Sequence, residues 1–213
     1  MDRSILSMCW VGSTNRESEI AVALRNGIVE LWNTQSSAQQ HSITIDSSGA
    51  QNSIKGLGFI PSSNSLFTCL DTGIVQIASL SSLIVDSESK DDMKSVQTEL
   101  NVGQDVACAR LDSCKQECFA TGGKERLLQI WDISTGKSTF KARNVAHNFL
   151  DMRVPVWIND IQFFPNDNNR LVEATAHHQM RIFDIKAGKR PVADIKIGDH
   201  AVTSLANYRC CRW

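Results

Sequence analysis

Three short stretches of the chain carry residues that could do chemistry, and none completes a catalytic or metal site. Residues 122–126 (GGKER) combine glycines with a lysine, but the full G-x-x-x-x-G-K-[ST] pattern of a phosphate loop is absent. The histidines at 177–178 are adjacent, and Cys114 and Cys118 lack a second pair at the tight spacing that zinc sites use. No serine or cysteine occupies a recognisable nucleophile elbow. We therefore predict no enzymatic activity, no cofactor and no metal site.

A second set of residues could bind a charged partner. Residues 141–153 carry three basic residues and one acid, and residues 181–190 carry four basic residues and one acid. Such a local basic sector suits contact with RNA phosphates, which requires cations but no sequence readout. An ordinary solvated surface remains the alternative. The candidate partner-binding residues are Lys124, Arg126, Lys141, Arg143, Asn144, Asp151, Arg153 and Trp157.

The bulk composition limits the class of protein. The chain has 213 residues, a net charge of −1 and 42% hydrophobic residues, which is typical of one or two globular domains. No apolar run reaches the roughly 18 residues of a membrane span, and the first residues do not resemble a secretory leader. The seven cysteines are an odd number in mostly strand-like contexts, which favours reduced thiols in the cytosol or nucleus.

Four stretches share one pattern of apolar strands and polar turns. They end near residues 34, 80, 134 and 186, and a fifth begins near residue 201. In each, a strand and turn precede a second short strand, a tight polar or glycine turn such as Asn26-Gly27 or Gly122-Gly123-Lys124, and an alternating third strand. The third strands read IVELW, IVQIA, LLQIW and MRIF. Their equivalent positions, about 50 residues apart, are Trp32, Ala78, Trp131 and Phe183.

This spacing predicts an all-β fold built from the four-stranded blades of a WD-repeat β-propeller. The predicted blades span residues 4–53, 54–104, 105–156 and 157–200 of a single domain, with 201–213 starting a further blade. An antiparallel sandwich also has short strands, but it does not predict an aromatic that recurs at the end of the third strand, as Trp32, Trp131 and Phe183 do. No Gly-His pair precedes a repeat, and the usual turn aspartate is present only as Asp71. We therefore expect packing alone, rather than the hydrogen-bonded tetrad of many WD repeats, to hold each blade.

Two connectors exceed what a propeller needs. The segment AHNFLDMRVPVW, residues 146–157, is too apolar for disorder, so we expect it to pack against the blades and to present Arg143, Asn144 and Arg153. Residues 86–99 carry five acids and two lysines and are rich in serine. They are expected to form a flexible surface loop, with phosphorylation as one use of it.

The run ATGGKERLLQIWDI, followed by FKARNV, LDMRVPVW and INDIQFFP, resembles the WD-repeat-containing protein 74 family of nucleolar assembly factors. The specific run spans about 45 residues, and weaker similarity in blade pattern covers nearly the whole chain. The resemblance implies a seven-bladed propeller that helps to mature precursors of the large ribosomal subunit in the nucleus and nucleolus. It also implies two partners besides the pre-ribosomal particle: a nuclear AAA-type ATPase and an exosome cofactor helicase.

The chain departs from that family in length. Four repeats and one strand predict a partial propeller, about four blades of a seven-bladed ring in an open array, with exposed sheet edges. We expect a truncated form of the family. The leading functional hypothesis is a scaffold in rRNA processing and large-subunit assembly, with no membrane and no small-molecule substrate. The alternative is a generic WD-repeat adaptor, such as a substrate receptor for a ubiquitin ligase.

Overall fold

The computed structural model describes residues 3–12, 18–45, 52–80, 96–112, 116–165 and 167–206. It divides into two compact units, residues 1–104 and 105–213. The described residues form β-strands and one 3₁₀ turn, Pro61–Ser63. Each unit contains two four-stranded antiparallel sheets, and strand order follows sequence order within every sheet.

The first unit holds strands β1 to β8. They are β1 (Ile5–Val11), β2 (Glu19–Leu24), β3 (Ile28–Asn33), β4 (Ala38–Thr44), β5 (Ile54–Ile60), β6 (Ser65–Leu70), β7 (Ile74–Ser79) and β8 (Val96–Asn101). The first strands of the two sheets, β1 and β5, contact each other. Apolar side chains of both sheets therefore share one core, which includes Val29, Leu31, Ile54 and Leu66.

The second unit repeats this arrangement. Its strands are β9 (Cys108–Leu111), β10 (Cys118–Gly123), β11 (Arg126–Asp132), β12 (Ser138–Lys141), β13 (Ile158–Phe164), β14 (Asp167–Thr175), β15 (Gln179–Asp184) and β16 (Ala193–Lys196). β13 contacts both β9 and β10 of the preceding sheet. The shared core includes Leu128, Ile158, Ile161 and Leu171, each fully buried.

The equivalent positions predicted from the repeats occupy one register position in all four sheets. Trp32, Ala78, Trp131 and Phe183 lie on third strands and pair with Ile20, Leu66, Phe119 and Leu171 on second strands. The predicted second and third strands are therefore confirmed. Each of the four sheets lies within one of the four predicted blade ranges, although the exact limits stay a prediction.

Hydrogen bonds hold the indole rings at two of these positions, Trp32 and Trp131, so the expectation that packing alone holds the blades was wrong. The Trp131 Nε1–H donates to Thr121 Oγ1 at 3.0 Å, and the Trp131 ring stacks on Phe119 with centroids 6.5 Å apart. In the first sheet the Trp32 Nε1–H donates to the Glu30 carboxylate at 3.0 Å. Both bonds tie an indole to its own sheet, where an unpaired N–H would be costly to bury.

The predicted Gly-Gly-Lys turn is displaced. Gly122 and Gly123 end strand β10, and the left-handed residue of the turn is Glu125, with φ 53°. Space explains the glycines better than turn geometry does. A Cβ on Gly123 would lie 2.0 Å from the Asp105 carbonyl oxygen, and one on Gly122 would lie 2.9 Å from an Ile158 methyl. Close approach of neighbouring chain segments therefore requires glycine here.

Part of the acidic connector is strand. Residues 96–99 belong to β8, which pairs with β7, so the predicted loop over 86–99 is wrong for its last four residues. Residues 86–95 lie outside the described residues, as do Cys114, Cys210 and Cys211. Phosphorylation of the acidic segment stays a prediction.

Candidate functional site

Residues 142–157, here called the connector, join β12 to β13 and are fixed at both ends by backbone hydrogen bonds. At its start, the Arg143 N–H donates to the Lys189 carbonyl at 2.7 Å, which joins the connector to the turn after β15. At its end, the Glu125 N–H donates to the Val156 carbonyl at 2.7 Å, and Val156 is buried. The connector therefore lies against the turns of two sheets without forming a strand.

The middle of the connector is a tight turn organised by Asn148. The Asn148 side-chain oxygen accepts the N–H groups of Leu150 at 3.0 Å and Met152 at 2.9 Å. The backbone of Asn148 pairs with the Met152 carbonyl at 3.0 Å and with the Asp151 N–H at 2.9 Å. Asp151 adopts a left-handed φ of 56°, which asparagine and aspartate tolerate better than most residues. Four hydrogen bonds thus fix the path of residues 148–152.

A groove of about 620 Å³ opens beside this turn and is called the basic groove below. Residues 143–148, Asp151, Arg153 and Arg190 line it. An adjoining depression of about 340 Å³ is lined by Lys141 and Lys189 among others and shares Arg143 and Asn144 with the groove. The Asn144 amide donates to the Val154 carbonyl at 2.6 Å, so this side chain braces the groove wall. Cations from two separate parts of the sequence therefore meet at one surface.

The charges of the groove are only partly neutralised. Arg153 pairs with Glu125 at 2.9 Å, with both side chains about half exposed, and His147 contacts Asp151 at 2.9 Å. For the side chains of Arg143 and Arg190, both exposed, no ion pair is found among the described residues. Exposed ion pairs contribute at most about 1 kcal/mol. An anionic ligand could therefore bind Arg143 and Arg190 and draw Arg153 away from Glu125.

A second group of predicted residues lies at the end of the connector. Trp157 forms an isolated antiparallel bridge with Lys124, and the Lys124 ammonium lies 4.8 Å from the centre of the Trp157 ring. Glu125 follows Lys124 and reaches Arg153, so this group is continuous with the basic groove. Arg126 begins β11 as a half-buried residue and does not line the groove.

The structure thus unites most of the predicted site residues. Arg143, Asn144, Asp151 and Arg153 line the groove, Lys141 lines the adjoining depression, and Lys124 and Trp157 flank it. Lys189 and Arg190 were predicted only as members of the basic run and not among the candidate partner-binding residues. Both lie in the basic run 181–190, but only the hydrogen bond from Arg143 to Lys189 shows which end of that run meets the connector.

The other end of the basic run belongs to the protein interior. Arg181 is 2% exposed and lies 3.6 Å from Glu173 and 3.5 Å from Asp194, on the two neighbouring strands. Its contribution to a surface basic sector was therefore wrongly predicted. Burial raises the pKa of Glu173 to about 7, against the opposing effect of the Arg181 guanidinium. This charge cluster is part of the fourth sheet.

The expected packing of the connector is also partly wrong. Val156 is buried, but Phe149 is 94% exposed, and Leu150 and Met152 are more than half exposed. The Asn148 turn explains the difference, because it directs three apolar side chains into solvent while its own polar groups bond to each other.

Metal sites, reactive thiols and membrane-spanning helices would be further signs of function in the part of the chain that the structure describes. There, no group of three potential ligands among His, Cys, Asp and Glu is placed to hold a metal ion. Burial raises the pKa of the Cys9 and Cys118 thiols to about 12, helped at Cys118 by Asp112, so neither is a poised nucleophile. Across the described ranges, no helix has the length and apolar character to cross a membrane.

Comparison with known proteins agrees with the sequence pattern. WD repeat-containing protein 74 of Bos taurus is 31% identical to the chain over 206 residues, which cover 96% of this chain and 50% of that protein. Ribosome biogenesis protein NSA1 of Yarrowia lipolytica is 30% identical over 217 residues, covering 96% of this chain and 51% of that protein. The predicted resemblance is confirmed. The chain is homologous to these proteins and spans about half their length. No family model matches it.

Solved structures support the fold. A chain in the structure of U3-55K superposes with a TM-score of 0.65 over 90% of this chain and 49% of its own length, at 16% identity. A chain of the mitotic checkpoint complex gives a TM-score of 0.66 over 93% of this chain and 52% of its own length, again at 16% identity. With four four-stranded antiparallel sheets, the predicted fold class, a partial WD-repeat β-propeller, is confirmed.

Proposed function

We propose that the chain is a non-enzymatic scaffold in the nuclear maturation of large-ribosomal-subunit precursors. The observation that carries this proposal is its 30% identity, over 96% of its length, to a protein named for ribosome biogenesis, NSA1 of Yarrowia lipolytica. The nucleus and nucleolus follow as its location, because those precursors mature there. We further propose that the chain has two protein partners, an AAA-type ATPase and an exosome cofactor helicase.

The basic groove supplies a docking surface for such a scaffold. Lys141, Arg143, Arg153, Lys189 and Arg190 line the groove and its adjoining depression, whereas Asp151 is the acid among the lining residues. RNA carries one negative charge for each phosphate, so binding here releases counterions and gains free energy without reading a sequence. We propose that the groove binds the ribosomal RNA backbone within a precursor particle.

Gradient sedimentation tests this function. The tagged chain is expressed in cultured mammalian cells, and the lysate is sedimented with and without ribonuclease. We expect the chain to move with large-subunit precursors in an RNA-dependent way. The double variant Arg143→Glu/Arg190→Glu should be lost from those fractions, because it reverses the two exposed arginines of the groove for which no ion pair is found among the described residues.

Lys137→Glu provides a single charge reversal outside the groove as a control. Lys137 is exposed in the turn before β12, at the opposite end of that strand from Lys141, and it does not line the groove. It should sediment like the unmodified chain. The proposed docking surface is refuted if a correctly folded double variant still moves with the precursors. Capture of cullin-type proteins instead of precursor RNA would favour the adaptor alternative.

A further inference from the structure

Phe149 is placed where a structural role cannot explain it. It is the most exposed of the large hydrophobic side chains in the described ranges, at 94%, and it forms the tip of the Asn148 turn. Asn148, the residue before it, and Asp151, two residues after it, both line the basic groove. Phe149 does not itself line the groove, but it belongs to the same turn as two residues that do, and its ring is open to a ligand.

The turn holds the backbone of this ring in place. The Asn148 side chain accepts the N–H groups of Leu150 and Met152, and its backbone closes the turn on Met152 and Asp151. A ligand that stacks on Phe149 would thus order one side chain with two rotatable torsions and no further backbone. Such preorganisation lowers the entropic cost of binding.

The combination of ring and cations points to one class of ligand. Proteins that bind single-stranded nucleic acid align basic side chains along the backbone and stack unpaired bases on aromatic rings. A duplex keeps its base faces covered, so it could use the arginines but not Phe149. A protein partner with an apolar cleft could accept the ring, but Arg143 and Arg190 would then need carboxylates around that cleft.

We infer that Phe149 and the basic groove together bind single-stranded RNA. An unpaired base stacks on the Phe149 ring, and Arg143, Arg153 and Arg190 contact the neighbouring phosphates. This inference rests on the proposed function and makes it more specific, since it assigns the groove to unpaired segments of the RNA. Phe149 and Arg190 were not among the candidate partner-binding residues, although they lie in the predicted segment 146–157 and in the predicted basic run 181–190.

Fluorescence anisotropy with purified 213-residue chain tests the inference. The probes are a labelled oligouridylate of about 10 nucleotides and an RNA duplex of about 16 base pairs. Phe149→Ala should weaken oligouridylate binding by about tenfold and leave duplex binding unchanged, since one stacked base is lost. Phe149→Tyr should restore the affinity, because it keeps an aromatic face. Leu150→Ala removes an exposed apolar side chain from the same turn and should have little effect.

Three results would overturn the inference. The first is an oligouridylate affinity that Phe149→Ala leaves unchanged. The second is an unchanged oligouridylate affinity in Phe149→Leu, or a loss of affinity in Leu150→Ala equal to that in Phe149→Ala. Either would indicate an apolar contact of the kind made with a protein. The third is no measurable binding of oligouridylate by the unmodified chain. The proposed function is judged separately, by sedimentation with precursors, so it can survive any of these results.

Discussion

Replacement of Asp160 by asparagine should destabilise the second unit strongly. Asp160 is 4% exposed and lies on β13. Its Oδ1 accepts Arg110 Nε at 3.0 Å and the Ile161 N–H at 2.8 Å, and its Oδ2 accepts Arg110 Nη2 at 3.2 Å and the Leu205 N–H at 2.8 Å. One carboxylate therefore joins two sheets and the segment after β16.

The magnitude follows from what asparagine cannot do. The asparagine side chain keeps one acceptor oxygen. Its NH2 group takes the place of the second oxygen and faces the N–H donors that were bonded to that oxygen. Breaking a buried ion pair costs about 3–5 kcal/mol. The Arg110 side chain is 33% exposed, so water can partly solvate the guanidinium left behind. We therefore expect Asp160→Asn to cost about 3 kcal/mol, at the lower end of that range.

Urea unfolding followed by circular dichroism measures the loss, and hydrogen exchange locates it. The Leu205 amide should exchange about 100-fold faster in the variant if its bond to Asp160 carries the full effect. Asp199→Asn is the matched control, because the Asp199 side chain is 92% exposed and its lysine partner is 3.9 Å away. It should change stability by less than about 0.5 kcal/mol. A cost for Asp160→Asn no greater than this control would refute the reasoning.

Four further outcomes are expected. Gly123→Ala should lower stability by about 2 kcal/mol, as measured by urea unfolding, because its Cβ would meet backbone rather than a movable side chain. Glu173→Gln should gain stability relative to the unmodified chain as the pH rises from about 4.5 to about 7. The neutral form is favoured in the folded state, so the unmodified chain loses stability over that window, by up to about 3 kcal/mol; parallel stability curves for the two chains would contradict this. Asn148→Ala should release the turn and speed exchange of the Met152 amide in hydrogen-exchange measurements, with unchanged exchange as the contrary result. If three arginines contact phosphates, a plot of the logarithm of the oligouridylate affinity against the logarithm of salt concentration should have a slope of about −2. In Arg190→Gln the magnitude of that slope should be smaller by about 0.7. A slope near zero would exclude such contacts.

The repeating part of the fold could be predicted because its information is local. A strand that alternates, a tight turn such as Asn26-Gly27 and a large residue such as Trp131 each follow from a few neighbouring letters. Gly27 takes the positive φ of 76° that this turn requires. Four copies of the same pattern then support one another, which a single copy could not do.

The wrong predictions concern residues whose surroundings are formed by segments distant in sequence. Gly123 looks like a turn residue, but it is glycine because the Asp105 carbonyl passes beside it. Arg181 looks like a surface cation, yet it is buried inside the fourth sheet, between Glu173 and Asp194 on the two adjacent strands. Composition cannot separate Arg181 from Arg190, because their difference lies in the strand register and in the turn that follows.

The connector shows how a site can be built without weakening the sheets that carry it. β12 and β13 keep their own ladders, and the backbone bonds of Arg143 and Val156 attach the intervening chain to turns that exist anyway. Burial of Val156 and the four bonds of Asn148 offset the cost of ordering the segment. Phe149, Arg143 and Arg190 then contribute little to that stability, since all three are exposed. Substitution of these residues should consequently change binding more than folding. That is the property expected of an interaction surface, whereas in an ordered loop without a partner the same substitutions would change neither.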